Sequence, residues 1–97
     1  MSVTDKQKRY LKGLAHNLKP VVMIGNNGLT AAVVAEIDNA LNHHELIKIR
    51  VSGQERDERK KILEDIASET QSDLVLVIGN IGGFYRASTE PQITLPR

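Results

Sequence analysis

The chain has 97 residues, no cysteine and a formal net charge of +1. This length fits one domain with a modest core. The lack of cysteine excludes disulfides, thiolate metal sites and a cysteine nucleophile. No apolar segment typical of a signal peptide follows Met1, and apolar runs such as Leu74–Ile78 are too short to span a bilayer. We therefore expect a single domain over residues 1–97, a cytoplasmic location and no membrane partner.

Charge is distributed unevenly along the chain. Residues 1–53 contain seven basic and four acidic side chains, whereas residues 54–97 contain six basic and eight acidic ones. Five of the basic residues lie within the first twenty, where Asp5 is the only acid. A one-sided positive field can steer a polyanion even when the net charge is near zero. A solvated helix face would have the same composition, so charge alone leaves both interpretations open.

The first predicted element is an amphipathic helix over Asp5–Asn17. Its apolar residues from Tyr10 to Leu18 recur with the helical period of about 3.6 residues. Pro20 requires the helix to end, because proline disfavours helical geometry at the residue before it. Val21–Ile24 is then a short, wholly apolar run, which predicts a buried strand.

The next elements alternate between helix and strand. Thr30 is a suitable N-cap for a second helix over Ala31–His43. Leu46–Val51 alternates between apolar and basic residues, which predicts a strand with Lys48 and Arg50 on its solvent side.

The second half of the chain predicts a helix, a hairpin and a tail. The helix covers Asp57–Thr70, and a strand covers Leu74–Ile78. A five-residue loop with three glycines, Gly79–Gly83, joins it to a last strand at Phe84–Arg86. Residues 87–97 form an extended tail. The order α-β-α-β-α-β-β predicts an α/β fold in which three helices pack on a four-stranded mixed sheet.

The turn Gly25-Asn26-Asn27-Gly28 is the first candidate site, because it follows a buried strand and opens a helix. Free amide groups and the dipole at a helix N-terminus favour an anion such as a phosphate. Glycine also permits positive φ and close approach of a ligand. Two glycines at this spacing are equally compatible with a plain tight turn. The turn lacks the residues of a Walker loop and the spacing of a dinucleotide fingerprint.

Basic side chains form the second candidate site. Phosphate binding needs several cations on one surface. The candidates are Lys8, Arg9 and Lys12 on the first helix, Lys19 before the first strand, Lys48 and Arg50 on a strand face, and Arg86 near the last strand.

Aromatic and catalytic candidates are few. Only Tyr10, Phe84 and Tyr85 are aromatic. Phe84 and Tyr85 are adjacent on a strand and point to opposite faces, so at least one is expected in the core. Extensive base stacking is therefore not expected. The adjacent histidines His43 and His44 point in different directions on a helix, so they make a poor metal pair. Without a Ser/His/Asp, paired-carboxylate or metal constellation, we expect no enzyme, cofactor or small-molecule substrate.

Several segments together resemble one known family. They are Lys19-Pro-Val-Val-Met-Ile-Gly-Asn-Asn-Gly-Leu-Thr, His43-His-Glu-Leu-Ile-Lys and Phe84-Tyr-Arg. They resemble the CRM domain family, in its stand-alone bacterial YhbY-type form, from about Thr4 to Arg97. The resemblance implies a fold similar to the C-terminal domain of translation initiation factor three. It also implies RNA binding through the GxxG loop, Gly25–Gly28, in precursors of the large ribosomal subunit.

This chain departs from the family pattern at Asn26. Many members carry a basic residue at this position, so backbone amides, asparagine side chains and the flanking helix are expected to replace a charge contact here. We therefore expect a non-catalytic RNA-binding module whose partner is ribosomal RNA. The alternative is a protein-interaction module on the ribosome, which docks through its mixed-charge third helix and contacts RNA only incidentally.

Overall fold

A single mixed sheet with helices on both faces forms the fold. The structure is a computed structural model that describes residues 3–97. Its elements are α1 (Asp5–Ala15), β1 (Pro20–Ile24), α2 (Ala31–His44), β2 (Leu46–Val51), α3 (Arg56–Thr70), β3 (Asp73–Ile78) and β4 (Ile81–Tyr85). The predicted α/β class, the element order and the four-stranded mixed sheet are confirmed. Among residues 3–97, no helix combines the length and apolar character needed to cross a membrane.

The strand order across the sheet is β1-β2-β4-β3. Strands β1 and β2 are parallel, with Ile24 opposite Val51, and the other two pairings are antiparallel. Parallel neighbours end at the same edge of a sheet, so the segments that follow β1 and β2 leave side by side. These two segments lead into α2 and α3.

The larger core cluster lies between the sheet and the pair α2 and α3. It includes Ile47, Ile49 and Val51, the alternate residues of β2 that sequence analysis placed on one face. Phe84 is fully buried in this cluster. The other buried members are Val22, Ile24, Ile37, Leu41, Leu63 and Ile66.

A smaller cluster occupies the opposite face of the sheet, beneath α1. It contains Leu11 and Ala15 from the helix and Leu46, Val75 and Tyr85 from the sheet. Burial, the nearby carboxylate of Glu45 and, to a smaller degree, that of Asp73 raise the pKa of Tyr85 above its usual value. Phe84 and Tyr85 therefore point to opposite faces as expected, and both are buried.

The loop of the β3–β4 hairpin is shorter than the five residues predicted from the sequence. The turn contains only Gly79 and Asn80, and Ile78 pairs directly with Ile81. Gly82 and Gly83 belong to β4, whose two faces both carry closely packed neighbours. A Cβ atom on Gly82 would lie 2.6 Å from Cδ2 of Leu63, and one on Gly83 would lie 3.0 Å from Cβ of Leu76. These glycines permit close packing within a strand, and their predicted place in the hairpin loop is wrong.

Helix ends differ slightly from the expected ones. Helix α1 ends at Ala15, two residues before the predicted Asn17, and His16 is its C-cap. Thr4 caps its start: its hydroxyl accepts from the amide of Gln7 at 3.1 Å, and its own amide donates to Oε1 of Gln7 at 3.0 Å. This reciprocal pair satisfies two amides at the helix terminus.

The C-terminal tail lies against α1 and is held at both ends. Glu45 has a positive φ of 60° and is buried. Its Oε1 accepts from the amides of Gln92 at 2.5 Å and Ile93 at 3.2 Å. Further along, the side chain of Gln7 donates to the carbonyl of Pro96 at 3.0 Å. Ile93 and Leu95 pack against the smaller cluster, so the tail completes the core on this face.

Candidate functional site

The segment Gly25–Gly28 forms a tight turn between β1 and α2. The amide of Gly28 donates to the carbonyl of Gly25 at 3.0 Å, and Gly28 has a φ of +69°. Glycine at position 28 is therefore explained by backbone conformation. A Cβ atom on Gly25 would meet no heavy atom within 4 Å. The absence of a side chain at Gly25 thus leaves the surface of the turn open, while Gly28 permits the positive φ that the turn requires.

The turn presents polar backbone groups to a shallow cavity. This cavity has a volume of about 420 Å³ and is lined by the turn together with Thr30 and Val33. Within residues 3–97, no acceptor engages the amides of Asn26 and Asn27. The hydroxyl of Thr30 caps α2 by accepting from the amide of Val33 at 3.2 Å. Exposed amides beside a helix N-terminus are suited to an anion.

A second loop, residues 52–54, contacts the turn. The side-chain amide of Gln54 donates to the carbonyl of Gly25 at 3.0 Å. Gly53 lies against the side chain of Asn26. From the sequence alone, this segment belongs to none of the predicted helices and strands. Nothing in its residue types indicates a role, and only the parallel pairing of β1 and β2 brings it to the turn.

The predicted basic residues of α1 and β2 share one face of the sheet. Lys8, Arg9 and Lys12 are exposed on α1. Because Ile47, Ile49 and Val51 point into the α2/α3 cluster, the alternating Lys48 and Arg50 point to the α1 face. Lys48 is partly buried and Arg50 is exposed. The structure therefore brings these five side chains to a common side, which sequence analysis left open.

These cations are spread along the sheet. Arg50 pairs with Met23, near the end of β1 that leads into the turn. Lys48 pairs with Pro20 at the other end, where exposed Lys19 precedes the strand. Gly25 lies six residues after Lys19, which is roughly 20 Å at the rise of a strand. A ligand that contacts both the turn and Lys19 must therefore be extended.

Arg86 does not join this surface. Its Nη1 donates to Oδ1 of Asp38 at 2.8 Å and to the carbonyl of Thr70 at 2.8 Å. Its Nη2 donates to the carbonyl of Asp38 at 3.0 Å and to Oδ1 of Asn42 at 2.9 Å. All four Nη hydrogens are thus used to link the end of β4 to α2 and α3. We assign Arg86 to the packing of the fold and not to ligand binding.

Acidic and histidine side chains form no metal site in the part of the chain that the structure describes. No group of three or more His, Asp or Glu side chains could hold an ion there. His43 instead contacts its own helix, with Nδ1 2.8 Å from the carbonyl of Asn39.

Residues 3–86 match the model of the CRS1 / YhbY (CRM) domain. The chain belongs to this family. A Haemophilus influenzae protein named "RNA-binding protein" is 54% identical over 96 residues, which cover 99% of this chain and 97% of that protein. A Pseudomonas aeruginosa protein named "Probable RNA-binding protein" is 42% identical over 95 residues, which cover 98% of this chain and 91% of that protein.

A solved structure shares the fold of this CRM domain. The solution structure of a Staphylococcus aureus protein superposes with a TM-score of 0.86 at 42% identity. The match covers 98% of this chain and 100% of the other. The family resemblance expected from sequence is therefore confirmed. The family model ends at residue 86, immediately before the tail that Glu45 holds.

Replacing Arg86 tests its structural assignment. We expect Arg86→Ala to lower the free energy of unfolding by about 2 kcal/mol, because it leaves the carboxylate of Asp38 and two backbone carbonyls without their donor. Urea denaturation followed by circular dichroism measures this loss. Lys60→Ala, at an exposed position of α3, is the control and should change the stability by less than about 0.5 kcal/mol. Equal effects of the two substitutions would contradict the assignment.

Proposed function

We propose that this CRM domain is a non-catalytic RNA-binding protein. The observation that carries the proposal is the accumulation of cations on the α1 face. Residues 3–19 and 46–51 contain seven basic side chains, and their only acid is Asp5. The names of the bacterial relatives support RNA as the polyanion.

The sheet separates this positive surface from a negative one. Helices α2 and α3 lie on the other face and contain four basic and seven acidic residues. A protein with a net charge of only +1 therefore carries a charge dipole across its sheet. Such a distribution orients an approaching polyanion towards one face. The small net charge is thus compatible with nucleic-acid binding.

The turn Gly25–Gly28 supplies a second kind of contact. The free amides of Asn26 and Asn27 and the N-terminus of α2 can donate to one phosphate. The bare Cα of Gly25 lets the RNA backbone approach closely. Asn27 is exposed and can add side-chain hydrogen bonds. In this mode the turn positions the RNA backbone, and the lysines and arginines supply much of the affinity.

The chain has few aromatic residues that could stack on bases, which is consistent with recognition of RNA through its shape and backbone. Phe84 and Tyr85 are buried, and Tyr10 is 43% exposed on α1. Stacking on this chain is therefore limited to Tyr10 among its aromatic residues. The roughly 20 Å from Lys19 to the turn spans several nucleotides of an RNA strand. An extended, structured RNA fits these dimensions.

Ribosomal RNA in precursors of the large subunit is the partner that we propose, with the cytoplasm as the location. The proposal rests on the family resemblance, and the extended basic face is compatible with it. Crosslinking in growing cells, followed by mapping of the RNA sites, tests it. We expect crosslinks concentrated in large-subunit ribosomal RNA and in its precursors. Crosslinks outside ribosomal RNA would refute this partner.

A protein-docking function is the second candidate, because a groove lies between α3 and the edge strand β3. The groove has a volume of about 910 Å³. Its apolar lining includes Leu63, Leu74 and Val77, and Arg59 and Lys60 lie among its charged residues. Val77 is 56% exposed. Under this function, substitutions in the groove would weaken ribosome association more than substitutions on α1.

Two substitutions at Gly25 test the role of the turn. We expect Gly25→Asp to weaken binding of a labelled stem-loop RNA about tenfold or more, because a carboxylate then lies beside the amides that receive the phosphate. Gly25→Ala is the matched control, because its Cβ meets no neighbouring protein atom and adds no charge. It measures the effect of a side chain on the approach of RNA without the effect of a carboxylate. Filter binding measures both affinities. Equal affinities of the Ala and Asp variants would refute the phosphate contact at the turn.

Matched charge reversals test which face binds RNA. We expect Lys12→Glu to weaken binding of the same RNA and to reduce the slope of log affinity against log salt by about one. Lys60→Glu makes the same change on the α3 face and should leave the slope unaltered. Titrations at several salt concentrations measure both slopes. A larger effect of Lys60→Glu would indicate that RNA contacts the α3 face and would overturn the assignment of the α1 face.

A further inference from the structure

We infer that the second loop, residues 52–54, positions the turn Gly25–Gly28 for RNA, with Gly53 and Gln54 as positioning residues. The inference rests on the proposed function, because RNA affinity is the property that the second loop would control. It assigns a role to residues outside both the GxxG turn and the basic surface.

The second loop continues the pairing of β1 and β2 beyond the strands. Ile24 lies opposite Val51 at the end of the parallel ladder. The amide of Ser52 then donates to the carbonyl of Ile24 at 2.8 Å. The two chains thus remain in register up to Gly25. The position of the second loop is therefore tied to that of the turn by backbone hydrogen bonds.

Gln54 determines the direction of one peptide group in the turn. The carbonyl of Gly25 accepts from the side chain of Gln54 and from the amide of Gly28, each at 3.0 Å. Both acceptor positions of this oxygen are therefore used. In a trans peptide the N–H points away from the C=O. By holding the carbonyl of Gly25, Gln54 directs the amide of Asn26 away from the second loop, where an incoming phosphate can accept it.

Gly53 makes room for the side chain of Asn26. It has a φ of +80°, and a Cβ atom placed on it would lie 2.0 Å from Oδ1 of Asn26. Any other residue at position 53 would displace this side chain or the loop. Asn26 therefore lies against the second loop, and its side chain supports the turn. The side chain of Asn27, which is exposed, is therefore the one that is available to RNA.

A double-mutant cycle between positions 53 and 26 tests the inference. Gly53→Ala should weaken binding of the stem-loop RNA about tenfold when residue 26 is asparagine. In an Asn26→Ala background the clashing oxygen is absent, so the same substitution should cost markedly less. Backbone strain at φ +80° occurs in both backgrounds and cancels from the comparison. Strictly additive losses of RNA affinity would overturn the inference.

Gln54→Met provides a second test, with Gln92→Met as the matched control in the tail. Methionine keeps the length of the side chain but cannot donate to Gly25. We expect Gln54→Met to weaken RNA binding several-fold with an unchanged thermal midpoint, and Gln92→Met to change neither. In the free protein, Gln54→Met should also shift the NMR resonance of the Asn26 amide. An unmoved resonance together with unchanged affinity would refute the positioning role.

These measurements distinguish a failure of the proposed RNA-binding function from a failure of the positioning role. If the wild-type chain does not retain RNA, the proposed function fails. The Asn26 resonance still reports whether Gln54 orients the turn in the free protein. If the wild type binds RNA and the cycle is additive, the function stands and the positioning role fails.

Discussion

The parallel pairing of β1 with β2 is the constraint on which the site depends. It places the carboxyl ends of both strands at one edge of the sheet, so the turn Gly25–Gly28 and the second loop meet there. An antiparallel pair would send these segments to opposite ends. The hydrogen bond from Gln54 to Gly25 and the close approach of Gly53 to Asn26 both follow from this pairing. The strand ladder thus sets the geometry of a turn that has few contacts of its own.

The sheet also separates charge. Helix α1 packs on one face, and α2 and α3 pack on the other, so the basic and acidic segments are held on opposite sides. The alternation of β2 adds Lys48 and Arg50 to the side of α1. Burial of apolar residues and the distribution of charge are therefore produced by the same strand pattern. This explains how a nearly neutral chain presents a one-sided positive surface.

Two polar residues that join distant segments have structural roles. Arg86 connects the end of β4 to α2 and α3 through four hydrogen bonds, and buried Glu45 holds the amides of the tail. Two of the four acceptors of Arg86 are backbone carbonyls, and both donors to Oε1 of Glu45 are backbone amides, which limits the cost of burying these charges. Because these bonds use all four Nη hydrogens of Arg86, this residue does not contribute to the basic surface. That surface consists of residues from α1, from β2 and from the segment that precedes β1.

The sequence by itself determined the element order, the ends of most helices and strands to within one residue, the alternation of β2 and the family, because local periodicity, capping residues and motif spacing are properties of neighbouring residues. It also identified the turn Gly25–Gly28. Only the tertiary structure decided the role of Arg86, the placement of Gly82 and Gly83 inside a strand, and the contact of the second loop with the turn. Each of these depends on residues far apart in the chain: Asp38 for Arg86, Leu63 for Gly82, and Gly25 for Gln54. Pairing of strands and packing across the sheet bring such residues together, and no local pattern encodes their distance.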